Sequence, residues 1–180
     1  MTLRESALYL YRVESDQSRA QKVRGRGIKS EGRHRVAFRP RSWRQRVELT
    51  DEVWAHLNWR NRKPTPFVSA SRDPDWAINQ AERRVREGET NVRVYKIAVP
   101  RLGVYKSQFE GWVTVMHLYT WLHVAKSDLP DYADFPSSAN EYLFLHRIPK
   151  EFIVDTWFFD VLVVGDEDEE WCRGGMQFVG

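Results

Sequence analysis

The stretch Phe67-Val68-Ser69-Ala70-Ser71, followed two residues later by Asp73-Pro74, carries the strongest local structural signal in the sequence. The preceding Pro64-Thr-Pro favours an extended approach to it. Asp73 is a suitable helix N-cap, and proline is well tolerated at the first helical position. Apolar residues then recur at helical spacing, namely Ile78, Ala81 and Val85. The pattern predicts a short strand followed by a helix that ends near Gly88.

Segments on both sides of this unit extend the prediction. Short runs rich in β-branched and aromatic residues predict strands at Ala7 to Val13, Asn91 to Val99, Glu141 to Arg147, Phe152 to Trp157 and Phe158 to Val164. Further helices are predicted from Thr50 onward and over Trp112 to Lys126. No repeat or linker divides the 180 residues. We therefore expect an α+β fold in a single domain over residues 1–180.

Charge is distributed unevenly along the chain. Residues 1–63 hold 16 Lys and Arg against 7 Asp and Glu, whereas the whole chain has a net charge of only +3. Residues 14–48 show no sustained period and are predicted to form a basic loop. Such a segment attracts polyanions, so nucleic acid, an anionic membrane surface and a phosphorylated small molecule are all admissible partners. A solvated loop without a partner is the alternative.

Several classes of protein are excluded by what the sequence lacks. Its longest nearly apolar run, Trp157 to Val164, is far shorter than the roughly 17 to 25 residues of a membrane helix. No signal-peptide pattern is seen, and Cys172 has no second cysteine to pair with, so we expect an intracellular, cytoplasmic protein. Neither glycine-rich phosphate-loop motif occurs, and no histidine or cysteine spacing predicts a metal site.

Three separated segments bring together a set of side chains that suits one reaction. Arg12 follows Leu-Tyr at the end of the first strand, Ser69 and Ser71 lie in the central stretch, and Glu141 begins a late strand. A guanidinium can clamp a phosphate, a serine can hold a neighbouring group, and a carboxylate can stabilise positive charge on a sugar. Together they predict cleavage of a phosphorylated riboside.

These motifs resemble those of the mono-ADP-ribosyltransferases of the cholera-toxin and heat-labile-enterotoxin type. Residues 56–86 and 140–148 also resemble uncharacterised domains of filamentous fungi that look related to these enzymes. The resemblance implies a split pair of small β-sheets with flanking helices, and NAD bound as substrate in the cleft between them. It also implies that Arg12 binds an NAD phosphate or ribose, that Ser69 and Ser71 belong to the NAD site, and that Glu141 is catalytic, hydrogen-bonding the 2′-hydroxyl of the nicotinamide ribose.

Two positions depart from the pattern of this family. Ala139 stands where members that modify proteins carry Glu or Gln, and Ala70 replaces a threonine between the two serines. Three functions remain open: transfer of ADP-ribose to a protein or nucleic-acid acceptor, plain NAD hydrolysis, and a catalytically silent domain that mediates contacts. From the residues alone, a basic nucleic-acid-binding module is a further alternative. The acceptor and the oligomeric state stay open.

Overall fold

A computed structural model describes residues 7–58, 60–100, 115–118 and 139–159. Within these residues the chain forms two helices, a short 3-10 turn at Lys150–Phe152 and nine strands. In chain order they are β1 Ala7–Glu14, β2 Gln21–Val23, β3 Gly27–Lys29, α1 Trp43–Leu57, β4 Phe67–Ser71, α2 Pro74–Arg86, β5 Val92–Pro100, β6 Val115–His117, β7 Glu141–Leu145, β8 Arg147–Ile148 and β9 Ile153–Phe159.

The strands form two antiparallel sheets. The large sheet has the order β6-β7-β4-β1-β5-β9, and the small sheet has the order β2-β3-β8. β1 and β5 pair along their length, from Ala7 opposite Pro100 to Glu14 opposite Arg93. This arrangement confirms the α+β fold with a split pair of sheets and flanking helices that the sequence predicts.

The chain passes from the large sheet to the small sheet at a single corner residue. His146 lies between β7 and β8 and has a φ of 65°, a conformation that few non-glycine residues adopt. Its N–H donates to the carbonyl of Pro66, and its own carbonyl accepts from the N–H of Ser30 at 2.9 Å. These hydrogen bonds fix the bend at His146, so one hydrophobic run of sequence supplies β7 to the large sheet and β8 to the small sheet.

The main core lies between the two sheets. Leu10, Tyr95 and Phe144 of the large sheet pack with Ile28 and Ile148 of the small sheet, and all five are fully buried. Successive side chains of a strand point to opposite faces of its sheet, so these residues share the face that meets the other sheet. Burial of each such side chain contributes on the order of 1.5 to 3 kcal/mol.

Both helices cover the opposite face of the large sheet. Leu49 and Val53 of α1 pack near Phe67, and Ala77 and Ala81 of α2 pack against β1 and β5. The α2 prediction is confirmed, since Asp73 caps the helix by accepting from the N–H groups of Asp75 and Trp76. Neither helix in the described part of the chain is long and apolar enough to cross a bilayer.

The predicted start of the first helix and the predicted loop over residues 14–48 were wrong. The α1 helix begins at Trp43 with Ser42 as its N-cap, and Thr50 lies inside it, donating to the carbonyl of Arg46 at 2.8 Å. Its first six residues contain only two apolar ones, the exposed Trp43 and the half-buried Val47, among charged and polar ones, so the apolar spacing there is weak. The same segment also contains the hairpin of β2 and β3, whose three-residue strands are too short to leave a pattern.

The helix predicted over 112–126 was also wrong over Val115–His117, although the next residue, Leu118, is helical. Val115–His117 forms β6, which pairs with β7 through Val115 opposite Phe144 and His117 opposite Tyr142. Pairing with a neighbouring strand overrides the helical spacing of these residues. The rest of that prediction, the strand residues 160–164 and Cys172 lie outside the described residues. A single domain over residues 1–180 stays a prediction.

Candidate functional site

A cavity opens where β1 and β4 separate. The two strands pair only at Tyr11 opposite Ser71 within the described residues, and toward Val13 and Ser69 they diverge. The cavity has a volume of about 340 Å³, within the range of small-molecule sites. Residues of β1, β4, α1, α2 and the loop between β1 and β2 line it; the polar ones include Arg12, Arg19, His56, Ser69 and Arg84.

Arg12 bridges the gap between the separating strands. Its Nη1 donates to the backbone carbonyl of Ser69 at 2.8 Å, and its Nη2 donates to the carbonyl of Ala20 at 3.0 Å. Burial lowers the pKa of Arg12 to about 10, while the nearby Glu14 acts in the opposite direction. The guanidinium therefore stays charged at neutral pH. Its buried Nε has no hydrogen-bond partner among the described residues.

Ser69 is held from the helix side by His56, at the end of α1. The His56 Nε2 lies 2.7 Å from the Ser69 Oγ, and the His56 Nδ1 lies 2.6 Å from the Thr65 Oγ1. Burial lowers the pKa of His56 to about 4, and the positive charges of Arg12 and Arg19 act in the same direction. The imidazole is therefore neutral at pH 7 and offers one donor and one acceptor.

Glu141 reaches the same serine from the other side. It begins β7 directly opposite Ser71, and the Ser69 side chain interacts with its carboxyl group. Burial raises the pKa of Glu141, and Ser69 partly offsets that rise. The Ser69 side chain therefore lies between the imidazole of His56 and the carboxyl group of Glu141.

The structure thus joins three of the four residues that the sequence singles out. Arg12 donates to the carbonyl of Ser69, both residues line the cavity, and the carboxyl group of Glu141 interacts with the Ser69 side chain. Ser71 lies next to Glu141 across the strand pair but is not among the residues that line the cavity: its buried hydroxyl accepts from the N–H of Asp73 at 3.1 Å, next to the start of α2. The roles of all four residues toward NAD stay predictions.

Sequence reasoning missed two further residues of the cavity. His56 follows the buried Leu49 and Val53 at positions +7 and +3, and Arg84 follows the buried Ala77 and Ala81 at the same intervals. Both polar residues therefore continue the buried stripe of a helix into the cavity. A polar residue on such a stripe is the signal that could have identified them.

Arg84 is held in place by the loop that follows β1. Its Nη1 donates to the Ser18 Oγ at 2.9 Å and lies 3.5 Å from a carboxylate oxygen of Glu89. That carboxylate also accepts from the hydroxyl of Ser15. Arg84 and Arg12 therefore bring two cations to the same cavity, each fixed by hydrogen bonds.

Comparison with known proteins gives a fold and a family. No curated protein matches the sequence. Among solved structures, the chain resembles EcPltA, a toxin subunit with an ADP-ribosyltransferase-type fold, at a TM-score of 0.55 and 13% identity; the match covers 84% of this chain and 75% of that one. At this identity the likeness shows the fold alone. The model of a family described as a domain of unknown function, DUF7587, matches residues 5–162, and the chain belongs to this family.

Proposed function

We propose that this protein is a mono-ADP-ribosyltransferase, which cleaves the bond between nicotinamide and ribose in NAD and transfers ADP-ribose to a macromolecule. The observation that carries the proposal is the close grouping of Arg12, Ser69 and Glu141 beside the cavity. The three residues are far apart in sequence, and their types suit a phosphorylated riboside. The fold shared with EcPltA supports the same function.

The donors in the cavity fit an anionic dinucleotide. Arg12, Arg19 and Arg84 line the cavity together with two acids, Glu31 and Glu89, so the charged side chains of the lining are positive on balance. A guanidinium binds a phosphate through paired, charge-assisted hydrogen bonds. On this proposal Arg12 holds the diphosphate or the adjoining ribose, and Arg84 adds a second cation nearby.

In the reaction, the bond between the ribose carbon and the nicotinamide nitrogen breaks, and its electron pair leaves with nicotinamide. Positive charge develops on the ribose, where a nearby carboxylate stabilises it. Glu141 supplies this carboxylate, and its interaction with Ser69 fixes its position. His56 in turn fixes Ser69. The acceptor then bonds to the same ribose carbon and loses a proton.

One observation favours a second candidate, NAD hydrolysis without transfer. Ala139 lies two residues before Glu141, and its methyl group cannot activate an acceptor. Its backbone carbonyl is 2.8 Å from the His117 Nε2. Hydrolysis by water depends less on a residue that positions the acceptor than transfer to a macromolecule does. The same site would then release free ADP-ribose. A catalytically silent domain would bind NAD and release nothing.

Titration calorimetry and chromatography on the full chain separate these functions. Saturable NAD binding with release of nicotinamide supports an enzyme, and the fate of ADP-ribose distinguishes transfer from hydrolysis. Saturable binding without any release would assign the silent domain. A protein that neither binds nor cleaves NAD would contradict the proposal.

A further inference from the structure

The small sheet carries an exposed group of cations that the candidate site does not use. Three of them, Lys29, Arg147 and Lys150, lie on or beside β3 and β8, and two, Arg24 and Arg26, lie at the tip of the hairpin between β2 and β3. We call these five residues the basic surface. All are exposed except Lys29, which is half-buried, and Glu151 is the only acid within β2, β3, β8 and their turns.

Two residues of the basic surface face each other across strands. Lys29 is directly opposite Arg147 in the pairing of β3 with β8. Like charges at directly opposed positions destabilise a sheet. Within the described residues, none of the five cations forms an ion pair with an acid. The fold therefore tolerates a repulsion that an anionic ligand would remove.

Two exposed arginines on the helices, in contrast, have acidic partners. Arg44 of α1 pairs with Glu48, and Arg83 of α2 lies 3.8 Å from Glu87, each at the i,i+4 spacing. These two helix arginines are thus offset by acids, whereas the five cations of the basic surface are not, in the part of the chain that the structure describes.

The basic surface adjoins the candidate site. Ala20, immediately before β2, lines the cavity and accepts a hydrogen bond from Arg12. Glu31, two residues after the end of β3, also lines the cavity. The hairpin therefore leaves the cavity wall at one end and returns to it at the other, so a ligand on the basic surface lies next to the site.

From this we infer that the basic surface binds the phosphodiester backbone of a nucleic acid and, resting on the proposed function, that this nucleic acid is the acceptor of ADP-ribose. Nucleic-acid interfaces are polar and strongly positive, whereas the centre of a protein interface is apolar. Val23 is the one large apolar side chain exposed in the described small sheet, at 38%. Insertion into a lipid surface likewise needs apolar side chains that this face lacks.

Binding is tested by fluorescence anisotropy with labelled 20-nucleotide single-stranded RNA, single-stranded DNA and duplex DNA of one sequence. The full chain is compared with Lys29→Gln/Arg147→Gln and with a matched control, Arg83→Gln/Arg86→Gln, which removes the same charge from exposed positions of α2. We expect the sheet variant to bind at least one of the three probes about tenfold more weakly, with a salt slope reduced by roughly 1.4 to 1.8. The control should change affinity less than twofold.

Acceptor identity is tested separately, with NAD carrying a label in its adenylate. With nucleic acid present, wild type should label it, and the sheet variant should lose this labelling. Without nucleic acid, where water takes the ADP-ribose, the sheet variant and wild type should release nicotinamide at the same rate. Glu141→Gln should bind nucleic acid normally and release no nicotinamide. If wild type releases no nicotinamide, the proposed function is refuted. The anisotropy experiment then still decides whether the basic surface binds nucleic acid.

Three results would overturn the inference. Equal affinity of the sheet variant and wild type for every probe would show that the basic surface is not the binding site. Equally tight, sheet-dependent binding to phosphatidylserine vesicles would assign a lipid surface instead. Nicotinamide release with no labelled nucleic acid would refute the acceptor assignment.

Discussion

Ser69 makes the contacts on which the candidate site depends. Its carbonyl accepts from Arg12, and its hydroxyl lies between His56 and Glu141. The separation of β1 from β4 leaves that carbonyl without a strand partner on this side, and the guanidinium takes the place of the missing strand. A single serine therefore couples the charged group of β1 to the acid of β7.

Replacing Ser69 by alanine tests this coupling. Ser69→Ala removes the hydroxyl that orients Glu141, so we expect the turnover number for nicotinamide release to fall at least tenfold, with a smaller change in KM. Ser42→Ala is the matched control, because it removes a hydroxyl that caps α1 far from the cavity. The control should lose about 1 kcal/mol of stability and keep its turnover. Equal turnover in both variants would remove Ser69 from the mechanism.

His56 should make stability depend on pH. Its pKa of about 4 in the folded protein lies below the ordinary 6.5, so between these values the unfolded chain binds a proton that the folded chain does not. Stability then falls as pH decreases through this window, by roughly 2 kcal/mol between pH 7 and pH 5. Urea unfolding at both pH values should show this loss in wild type, and His56→Gln should reduce it by about that amount. An unchanged pH dependence in the variant would show that His56 does not titrate as described.

At this scale the sequence singled out residues with distinctive chemistry: a guanidinium, hydroxyls and a carboxylate. The structure groups Arg12, Ser69 and Glu141 and leaves Ser71 outside the cavity lining, while their roles toward NAD stay predictions. His56 and Arg84 could not be singled out, because each looks like an ordinary polar residue until the buried stripe of its helix is known. They can be recognised as cavity residues only when the tertiary structure is known.

Secondary structure elements differ in how much of them the sequence predicts. The boundaries of α2 follow from Asp73 and Pro74 at one end and Gly88, with a φ of 82°, just beyond the other. A signal also precedes Trp43, because Ser42 and Gln45 have the spacing of a capping box, but it was overlooked and the start of α1 was missed. The three-residue strands β2 and β3 exist because the core between the sheets buries Ile28. Local sequence patterns cannot report that packing.

The small sheet depends on the close approach of Gly27 to β8. A Cβ at Gly27 would lie 2.1 Å from the carbonyl oxygen of Ile148, whereas a Cβ at Gly25 would meet nothing within 4 Å. Both glycines have positive φ, at 87° and 72°, so an alanine is strained at either position. We expect Gly25→Ala to cost about 1 kcal/mol and Gly27→Ala roughly 2 kcal/mol more. Urea unfolding of the two variants measures the difference; equal costs would contradict the described contact.

At the scale of the whole molecule, the residues of the two proposals lie on different sheets. The strands of the large sheet carry Arg12, Ser69 and Glu141, and the small sheet carries the basic surface. The excess of positive charge in residues 1–63 was visible in the sequence, but its concentration on one sheet was not. Three of the five residues of the basic surface lie in residues 1–63, and Arg147 and Lys150 join them only through the pairing of β3 with β8.

NAD should stabilise the folded protein as a whole. Glu141→Gln is the suitable background, because it retains the cavity and is expected not to consume the ligand. NAD at about 100 times its dissociation constant should add roughly 2.7 kcal/mol of stability, which raises Tm by about 5 to 10 °C. Adding Arg12→Gln should abolish the rise, and adding Arg86→Gln should preserve it, as measured by thermal unfolding. A rise that survives the loss of Arg12 would place NAD elsewhere.

The most direct test of the central claim is the rate of nicotinamide release from NAD by wild type, Glu141→Gln and Glu82→Gln. Glu82 is an exposed acid of α2 and provides the matched control. We predict turnover by wild type, a loss of at least 100-fold in Glu141→Gln and a change of less than twofold in Glu82→Gln. Release by Glu141→Gln at the wild-type rate would contradict the claim that Arg12, Ser69 and Glu141 form the catalytic site.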